Sequence, residues 1–189
     1  MNKAIFFDRD GTIIKYGNHP HDIKKHLKFI KKSIKGLRKL KETEYLMIII
    51  TNQAGIARGM YTEEDYFVFR DEVHKKLEKR GISIIAEYFC PHHPEKGLGK
   101  YKINCNCRKP KIGMLEQATT DFDLNLGECW VIGDNVSDID AGKNAGCRTI
   151  HVLTGEKKEP ITHADFVAKD LEAAADYILN NIPEKQSKN

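Results

Sequence analysis

Apolar residues along this chain fall into two alternating patterns. Ala4-Ile5-Phe6-Phe7 and Leu46-Met47-Ile48-Ile49-Ile50 are short continuous runs, as expected of parallel strands covered on both faces. Weaker runs at 84–89, 129–132 and 148–153 predict three more strands. Between the runs the apolar period lengthens to that of a helix. Ile30, Ile34, Leu37 and Leu40 form one stripe, and Tyr66, Phe69, Val73 and Leu77 form another. The second stripe opens with Thr62 as N-cap before Glu63, Glu64 and Asp65, and stops at Gly81, a capped and negatively charged first turn. Ser137 is expected to cap a helix through Ala145, with Asp140 at its third position and Gly146 at its stop, and 171–182 forms a last helix. Strands alternating with helices predict an open parallel α/β sheet with helices on both faces. Active sites of such sheets lie beyond the carboxyl ends of the strands, which points to Asp8, Thr51, Cys90 and Asp134.

One stretch breaks the alternation. From Cys90 to Lys109 the chain carries Pro91, Pro94, Gly97 and Gly99 among polar residues without periodicity, the composition of a loop excursion. The expected organisation is one domain over 1–182, with a zinc-binding loop at 90–107 and a flexible tail at 183–189. A chain of 189 residues suffices for one buried core. No apolar run approaches the roughly 18–20 residues of a membrane span. The N-terminus reaches Asp8 after only four apolar residues, which reads as a strand rather than a signal peptide, so the expected compartment is the cytoplasm. The net charge of +4 gathers at Lys24, Lys25, Lys28, Lys31, Lys32, Lys35, Lys39 and Lys41. We read that stripe as a solvated helix face rather than a nucleic-acid footprint. No interface signal stands out, and the default is a monomer.

The candidate chemistry sits at the strand ends. Asp8-Arg9-Asp10-Gly11-Thr12 follows the first strand, and Gly11 permits the turn that lets Asp8 and Asp10 face one pocket. Two carboxylates so close repel when ionised and ask for a cation or a shared proton. Mg²⁺, which takes one or two carboxylates together with substrate oxygens, meets that demand. Asp134, just after another apolar strand, is placed to complete the magnesium site, and Asp138 to anchor a lysine. The Thr51 hydroxyl and the amides of Asn52 and Gln53 are placed to hold a phosphate oxygen. Lys109 is placed to neutralise a transferring phosphoryl group.

Five cysteines, an odd number in a chain without an export signal, point away from disulfides and towards metal. Cys90, His92, Cys105 and Cys107 supply three thiolates and one imidazole, enough for a closed tetrahedral Zn²⁺ site. With every position filled the zinc would be structural, ordering a loop with little apolar core and fixing the adjacent Arg108-Lys109. His93 is the competing imidazole, and Cys129 and Cys147 read as small core residues.

In their order these motifs resemble the haloacid-dehalogenase-like (HAD-like) phosphatases over nearly the whole chain. The resemblance implies a Rossmann-like fold with Asp8 as nucleophile and Asp10 as the acid that protonates the leaving oxygen and later activates water. Mg²⁺ would lie between Asp8, the backbone carbonyl of Asp10, and Asp134. Thr51 to Gly59 (TNQAGIARG), Cys-Pro-His-His-Pro from Cys90 and Cys-Asn-Cys-Arg-Lys-Pro from Cys105 further resemble the D,D-heptose 1,7-bisphosphate phosphatases. Histidinol-phosphate phosphatases share most of these motifs. The heptose resemblance implies that Tyr16, Gly17, Asn18, His19, Asn52, Gln53, Ala54, Arg108 and Asn135 line the substrate site with Thr51 and Lys109, and that a small phosphorylated sugar is the partner. Two departures stand out: 29–34 lacks a Pro-Gly, and Asn135 stands where a lysine is common, which bears on contacts to the distal phosphate. Only about 40 residues separate the first two motifs, which implies a minimal cap and a shallow site. The alternatives are a histidinol-phosphate phosphatase, a polynucleotide 3'-phosphatase and, from another class, a non-catalytic zinc module that binds nucleic acid.

Overall fold

The computed structural model describes residues 1–15, 27–156 and 158–182. Its strands are β1 (Ala4–Phe7), β2 (Leu46–Asn52), β3 (Ala86–Cys90), β4 (Trp130–Gly133), β5 (Arg148–Val152) and β6 (Phe166–Ala168). Its helices are α1 (Lys31–Leu40), the single turn α2 (Ala54–Ala57), α3 (Glu63–Glu78), α4 (Gly113–Phe122), α5 (Val136–Asn144) and α6 (Leu171–Asn180). The strands form one sheet in the order β3-β2-β1-β4-β5-β6. Every pairing is parallel.

Alternation within each strand feeds two cores. Ile5 and Phe7 of β1, Met47 and Ile49 of β2, and Ile132 of β4 join Leu37, Phe69, Val73 and Ile178 on one face of the sheet. Ala4, Phe6, Ile48, Ile50 and Val131 join Met114, Leu115, Ala118 and Ala141 on the other. Helices therefore cover both faces, and each fully buried large apolar side chain contributes about 1.5–3 kcal/mol.

The predicted strands are present with small shifts: 84–89 becomes Ala86–Cys90, and 129–132 becomes Trp130–Gly133. The Thr62 cap is a full capping box with Asp65. The cap of α5 differs from the expectation. Asn135, not Ser137, is the N-cap, its side chain accepting from the Ser137 amide while Asp138 accepts from the Asn135 amide. Helix α4 and strand β6 were not foreseen. The lysine stripe lies partly against α6, where Lys32 meets Glu172 at 2.5 Å and Lys39 meets Asp176 at 2.6 Å. Among the described residues no helix is long and apolar enough to cross a membrane.

The chain builds outward from β1 through β2 to β3, then returns to the other side of β1 with β4. A crevice opens at such a reversal, beyond the carboxyl ends of the two central strands.

Candidate active site

Asp8 and Asp134 emerge side by side into that crevice. The Asp8 amide donates to the Ile132 carbonyl (2.9 Å), extending the β1–β4 ladder by one residue. The chain then doubles back at Gly11, whose φ of 93° lies in the left-handed region that glycine adopts without strain. Ile13 and Ile14 donate to the Arg9 carbonyl and close the turn. The Thr12 hydroxyl reaches Asp134 Oδ1 (3.4 Å), and Ser33 in α1 donates to the Thr12 carbonyl. His151 of β5 sits behind Asp134 with Nε2 3.2 Å from its carbonyl oxygen, while its Nδ1 accepts from the Ile161 amide. Burial lowers the His151 pKa, which favours this neutral form. Residue 155 must be small: a Cβ on Gly155 would lie 2.0 Å from an Asp134 carboxylate oxygen.

Lys109 comes from the end of the cysteine loop. Lys109 is 3% exposed, and its ammonium lies 2.7 Å from Asp8 Oδ1, 2.7 Å from Asp138 Oδ1 and 2.8 Å from the Ile50 carbonyl. Burial alone would lower the lysine, but Asp138 and Asp8 more than offset it and the net shift is upward. Burial pushes the Asp8 carboxyl well above its ordinary range. Lys109 pulls the other way, while Asp138, Asp134 and Asp10 add to the rise. Oxygens of Asp8, Asp134 and Asp138 all lie within 4.8 Å of one another. Three buried carboxylates face one ammonium, and the excess negative charge suits a hard divalent cation. Both Asp138 oxygens are already engaged, by Lys109 and by the Asn135 amide.

Asp10 is the second carboxylate of the turn, yet its side chain lies outside that cluster. Its Oδ2 accepts from Gln53 Nε2 (2.9 Å) and from Arg9. Gln53 also donates to Thr51 Oγ1 (2.7 Å) and accepts from the Tyr61 hydroxyl. The Gln53 amide, expected to face a phosphate oxygen, donates instead to the Cys90 carbonyl (2.8 Å), because the β2–β3 pairing continues to that point. Asn52 clamps the backbone of Lys109, with Nδ2 donating to its carbonyl and Oδ1 accepting from its amide, each at 3.1 Å.

These groups line a cavity of about 460 Å³ that brings together Asp8, Asp10, Thr51, Asn52, Arg108, Lys109 and Asn135. Gln53 and Ala54 stand just behind that wall in sequence, and Tyr16, Gly17, Asn18 and His19 lie outside the described residues. Sequence reasoning did not foresee Arg58, Ser137 and Glu156, which also line the cavity. Arg58 was readable as part of the quoted Gly-Ile-Ala-Arg-Gly run, whereas Glu156 had no signal.

The cysteine loop closes on itself. Sulfur–sulfur distances among Cys90, Cys105 and Cys107 are 3.1, 3.3 and 3.5 Å, and His92 Nδ1 lies 3.4 Å from Cys107 and 3.9 Å from Cys90. A tetrahedral ion with metal–sulfur bonds of about 2.3 Å and a metal–nitrogen bond of about 2.0 Å sets ligand atoms about 3.5–3.8 Å apart, so a small outward movement of the sulfurs gives the four side chains the spacing of a closed metal site. His93 takes no part: its Nδ1 accepts from the Glu95 and Lys96 amides. The loop carries Arg108, whose Nη1 donates to the His92 carbonyl (3.2 Å), directly into the cavity. Cys129 and Cys147 are buried in the core under α4 and α5.

Comparison with known proteins bears on the family and the fold. A HAD-hydrolase-like family model matches residues 106–184. The D-glycero-beta-D-manno-heptose-1,7-bisphosphate 7-phosphatase of Pasteurella multocida (strain Pm70) is 40% identical, covering 97% of this chain and 95% of its own. The D-glycero-alpha-D-manno-heptose-1,7-bisphosphate 7-phosphatase of Photorhabdus laumondii is also 40% identical, covering 89% and 92%. The crystal structure of D,D-heptose 1,7-bisphosphate phosphatase from B. bronchiseptica, complexed with magnesium and phosphate, superposes with a TM-score of 0.80 at 26% identity, covering 96% of this chain and all of that one. By its sequence over 97% of its length, and by its fold, the chain belongs to the D-glycero-D-manno-heptose-1,7-bisphosphate 7-phosphatase family of HAD-like hydrolases.

Proposed function

We propose that this chain is a phosphoric monoester hydrolase that removes the 7-phosphate of D-glycero-D-manno-heptose 1,7-bisphosphate and releases heptose 1-phosphate, a step in ADP- or GDP-heptose biosynthesis. The observation that carries the reading is the buried Asp8–Lys109–Asp138 arrangement at the strand reversal, with each Lys109 contact at 2.7 Å. An anionic nucleophile attacks an anionic phosphoryl group only where fixed positive charge offsets the repulsion.

In this reading an Asp8 oxygen attacks phosphorus and the bond to the sugar oxygen breaks, leaving an aspartyl-phosphate. Asp10 gives its proton to the departing alkoxide. It then takes a proton from the water that attacks the aspartyl-phosphate, so inorganic phosphate leaves and Asp8 is restored. Thr51 and Lys109 hold the phosphoryl oxygens, and Arg108 recognises the sugar-phosphate end, with Asn52, Gln53, Ala54, Asn135 and the Tyr16–His19 segment completing the substrate side. Asp8, Asp134 and the Asp10 carbonyl would hold Mg²⁺, whose charge would draw electron density from the phosphoryl group. Cys90, His92, Cys105 and Cys107 would hold a structural Zn²⁺, which would order the loop that delivers Arg108 and Lys109. We take the working protein to be a cytoplasmic monomer.

The test is phosphate release with Mg²⁺ from heptose 1,7-bisphosphate, histidinol phosphate and a 3'-phosphorylated oligonucleotide. Preference for the heptose supports the reading. Preference for either of the others keeps the chemistry and overturns the substrate. Asp8→Asn should abolish turnover on whichever ester is cleaved, and turnover that survives it sinks the aspartyl-phosphate mechanism.

A further inference from the structure

Behind Asp10 lies a buried charged network that the phosphoryl chemistry does not touch. Arg9 is 1% exposed, its guanidinium held over the rings of Tyr66 (5.4 Å) and Phe69 (5.2 Å). Two of its nitrogens, Nε and Nη2, donate to Asp10 Oδ2 at 3.2 and 3.0 Å. The third, Nη1, donates to Glu87 Oε1 at 3.4 Å. Glu87, on β3, is itself enclosed: its Oε1 accepts from the Tyr66 hydroxyl (2.7 Å) and its Oε2 lies 2.8 Å from His74 Nε2. Burial would raise the Glu87 carboxyl, but His74 and Arg9 outweigh it and hold the group ionised.

We infer that Arg9, braced by Glu87, Tyr66 and His74, is a positioning residue that fixes the Asp10 carboxylate for proton transfer. The inference rests on Asp10 as the acid–base group of the proposed reaction. Three N–H groups, two from Arg9 and one from Gln53, converge on the single oxygen Oδ2. That leaves Oδ1 to serve the reacting oxygens in the cavity that Asp10 lines. Geometry matters here, because a general acid must meet its oxygen within hydrogen-bond reach and a small misplacement is costly. Packing alone does not account for the network. A buried arginine–carboxylate pair carries a desolvation penalty that an apolar pair of similar volume avoids. The return on that penalty is a planar donor fork whose orientation two rings and a carboxylate determine. Glu87 also offsets the guanidinium charge, so the fork holds Asp10 by direction rather than as its sole counter-ion.

The experiment compares kcat/KM for heptose 1,7-bisphosphate, whose leaving alkoxide needs a proton, with kcat/KM for an aryl phosphate of an acidic phenol, which does not. The variants are Glu87→Gln and the paired Arg9→Met with Glu87→Gln, which removes both charges and strands neither. Asp10→Asn is the reference. The expected result is a loss of about 10–100-fold on the sugar ester, a share of the 10²–10⁴ that general acid–base catalysis supplies, with less than about threefold on the aryl ester. Equal losses on both esters would assign the network to folding alone and overturn the inference. No loss on either ester, while Asp10→Asn discriminates between them, would also overturn it. If Asp10→Asn itself fails to discriminate, the acid–base reading of Asp10 falls and the inference falls with it. Should the paired variant not fold, the isosteric Glu87→Gln carries the test.

Discussion

The carboxylate site and the cysteine loop meet at Lys109 but are held in place by different means. Asp8 and Asp134 are carried on β1 and β4, whose residues are fully enclosed by the two cores. Sheet register fixes their backbones. The loop after β3 has no such support. Leu98 and Ile103 are 63% and 44% exposed, and half of its other residues are exposed as well. Its shape comes from four side chains drawn to one point. One functional group, the Lys109 ammonium, thus depends on both: the core encloses it and the loop delivers it. A damaged core contact should therefore be felt globally and a damaged loop locally.

The largest effect expected is that of Lys109→Met. It leaves Asp8 and Asp138 buried without their ammonium, and breaking a buried pair in this way costs about 3–5 kcal/mol. For a chain of this size the melting temperature should drop by about 10 °C, with turnover abolished. Calorimetry and phosphate release check both. An unchanged melting temperature would mean that the site is not held by its charges.

Next is removal of the Zn²⁺ proposed for the loop, by a strong chelator followed by re-addition of Mg²⁺ alone, or by Cys105→Ser. The loop between 94 and 104 should become open to limited proteolysis while far-UV circular dichroism and the main thermal transition stay in place. Turnover should drop on the order of 10-fold or more as Lys109 and Arg108 lose their placement, since misplacing a reacting group by about 1 Å costs up to 10²-fold. A melting temperature that falls as far as in Lys109→Met would erase the distinction between the two regions.

The same contrast explains what was legible in the sequence. Asp8, Thr51, Cys90 and Asp134 were readable because strand runs announce themselves and their carboxyl ends carry the chemistry. The cysteine cluster was readable because its ligands are chemically rare. Helix α4 was not, because Ile112 offers no side-chain cap and the helix ends on Asp123, a left-handed residue (φ 50°) where the rules look for glycine. Strand β6 has three residues at the sheet edge, too few for a period. The Ser137 cap failed because Asn135, two residues earlier, is also a capping residue and has Asp138 at the third helical position to complete a capping box. The Arg9–Glu87 network joins residues 78 positions apart. No local pattern encodes that pairing, although a glutamate within the β3 run, between Ala86 and Tyr88, was a sign that some polar partner faced it.

With both sites stripped of metal, pH should act on the two regions with opposite sign. The Cys107 thiol is drawn down to about 5, chiefly by its hydrogen bond with Cys90 and against burial, from a free value of about 8.5; the same bond, with burial, pushes its partner Cys90 up, so below the free value only Cys107 of the pair titrates. A depressed acid contributes stability that is fully present above its free value and is lost as pH falls through its folded one. The loop should therefore tighten as pH rises from 5 to 8.5. Burial raises Asp8, so the folded chain keeps a proton that the unfolded chain has lost. The carboxylate site should then loosen as pH rises from about 4 through the raised value. Hydrogen exchange at 8–10 and proteolysis at 94–104, followed across pH 5–9, read the two separately. Slopes of the same sign would contradict this, and Mg²⁺ should flatten the first.

The smallest effect, and the one that sharpens the comparison most, belongs to Asn52. Its side chain clamps the Lys109 backbone to the end of β2 through two hydrogen bonds, so it is the joint between the two regions. Each lost hydrogen bond is worth about 0.5–1.5 kcal/mol net. With metal in the loop, Asn52→Ala should lower kcat only a few-fold, because the cysteine cluster still holds the chain two residues before Lys109. With the loop stripped, nothing on that side resists, and the same substitution should cost clearly more than the product of the two separate losses. The cycle of four proteins, with and without Asn52 and with and without loop metal, measures that coupling directly. Additive losses would show that loop and strand act on Lys109 independently, and that the enclosure of its side chain by Asp8, Asp138 and the Ile50 carbonyl is enough to place it.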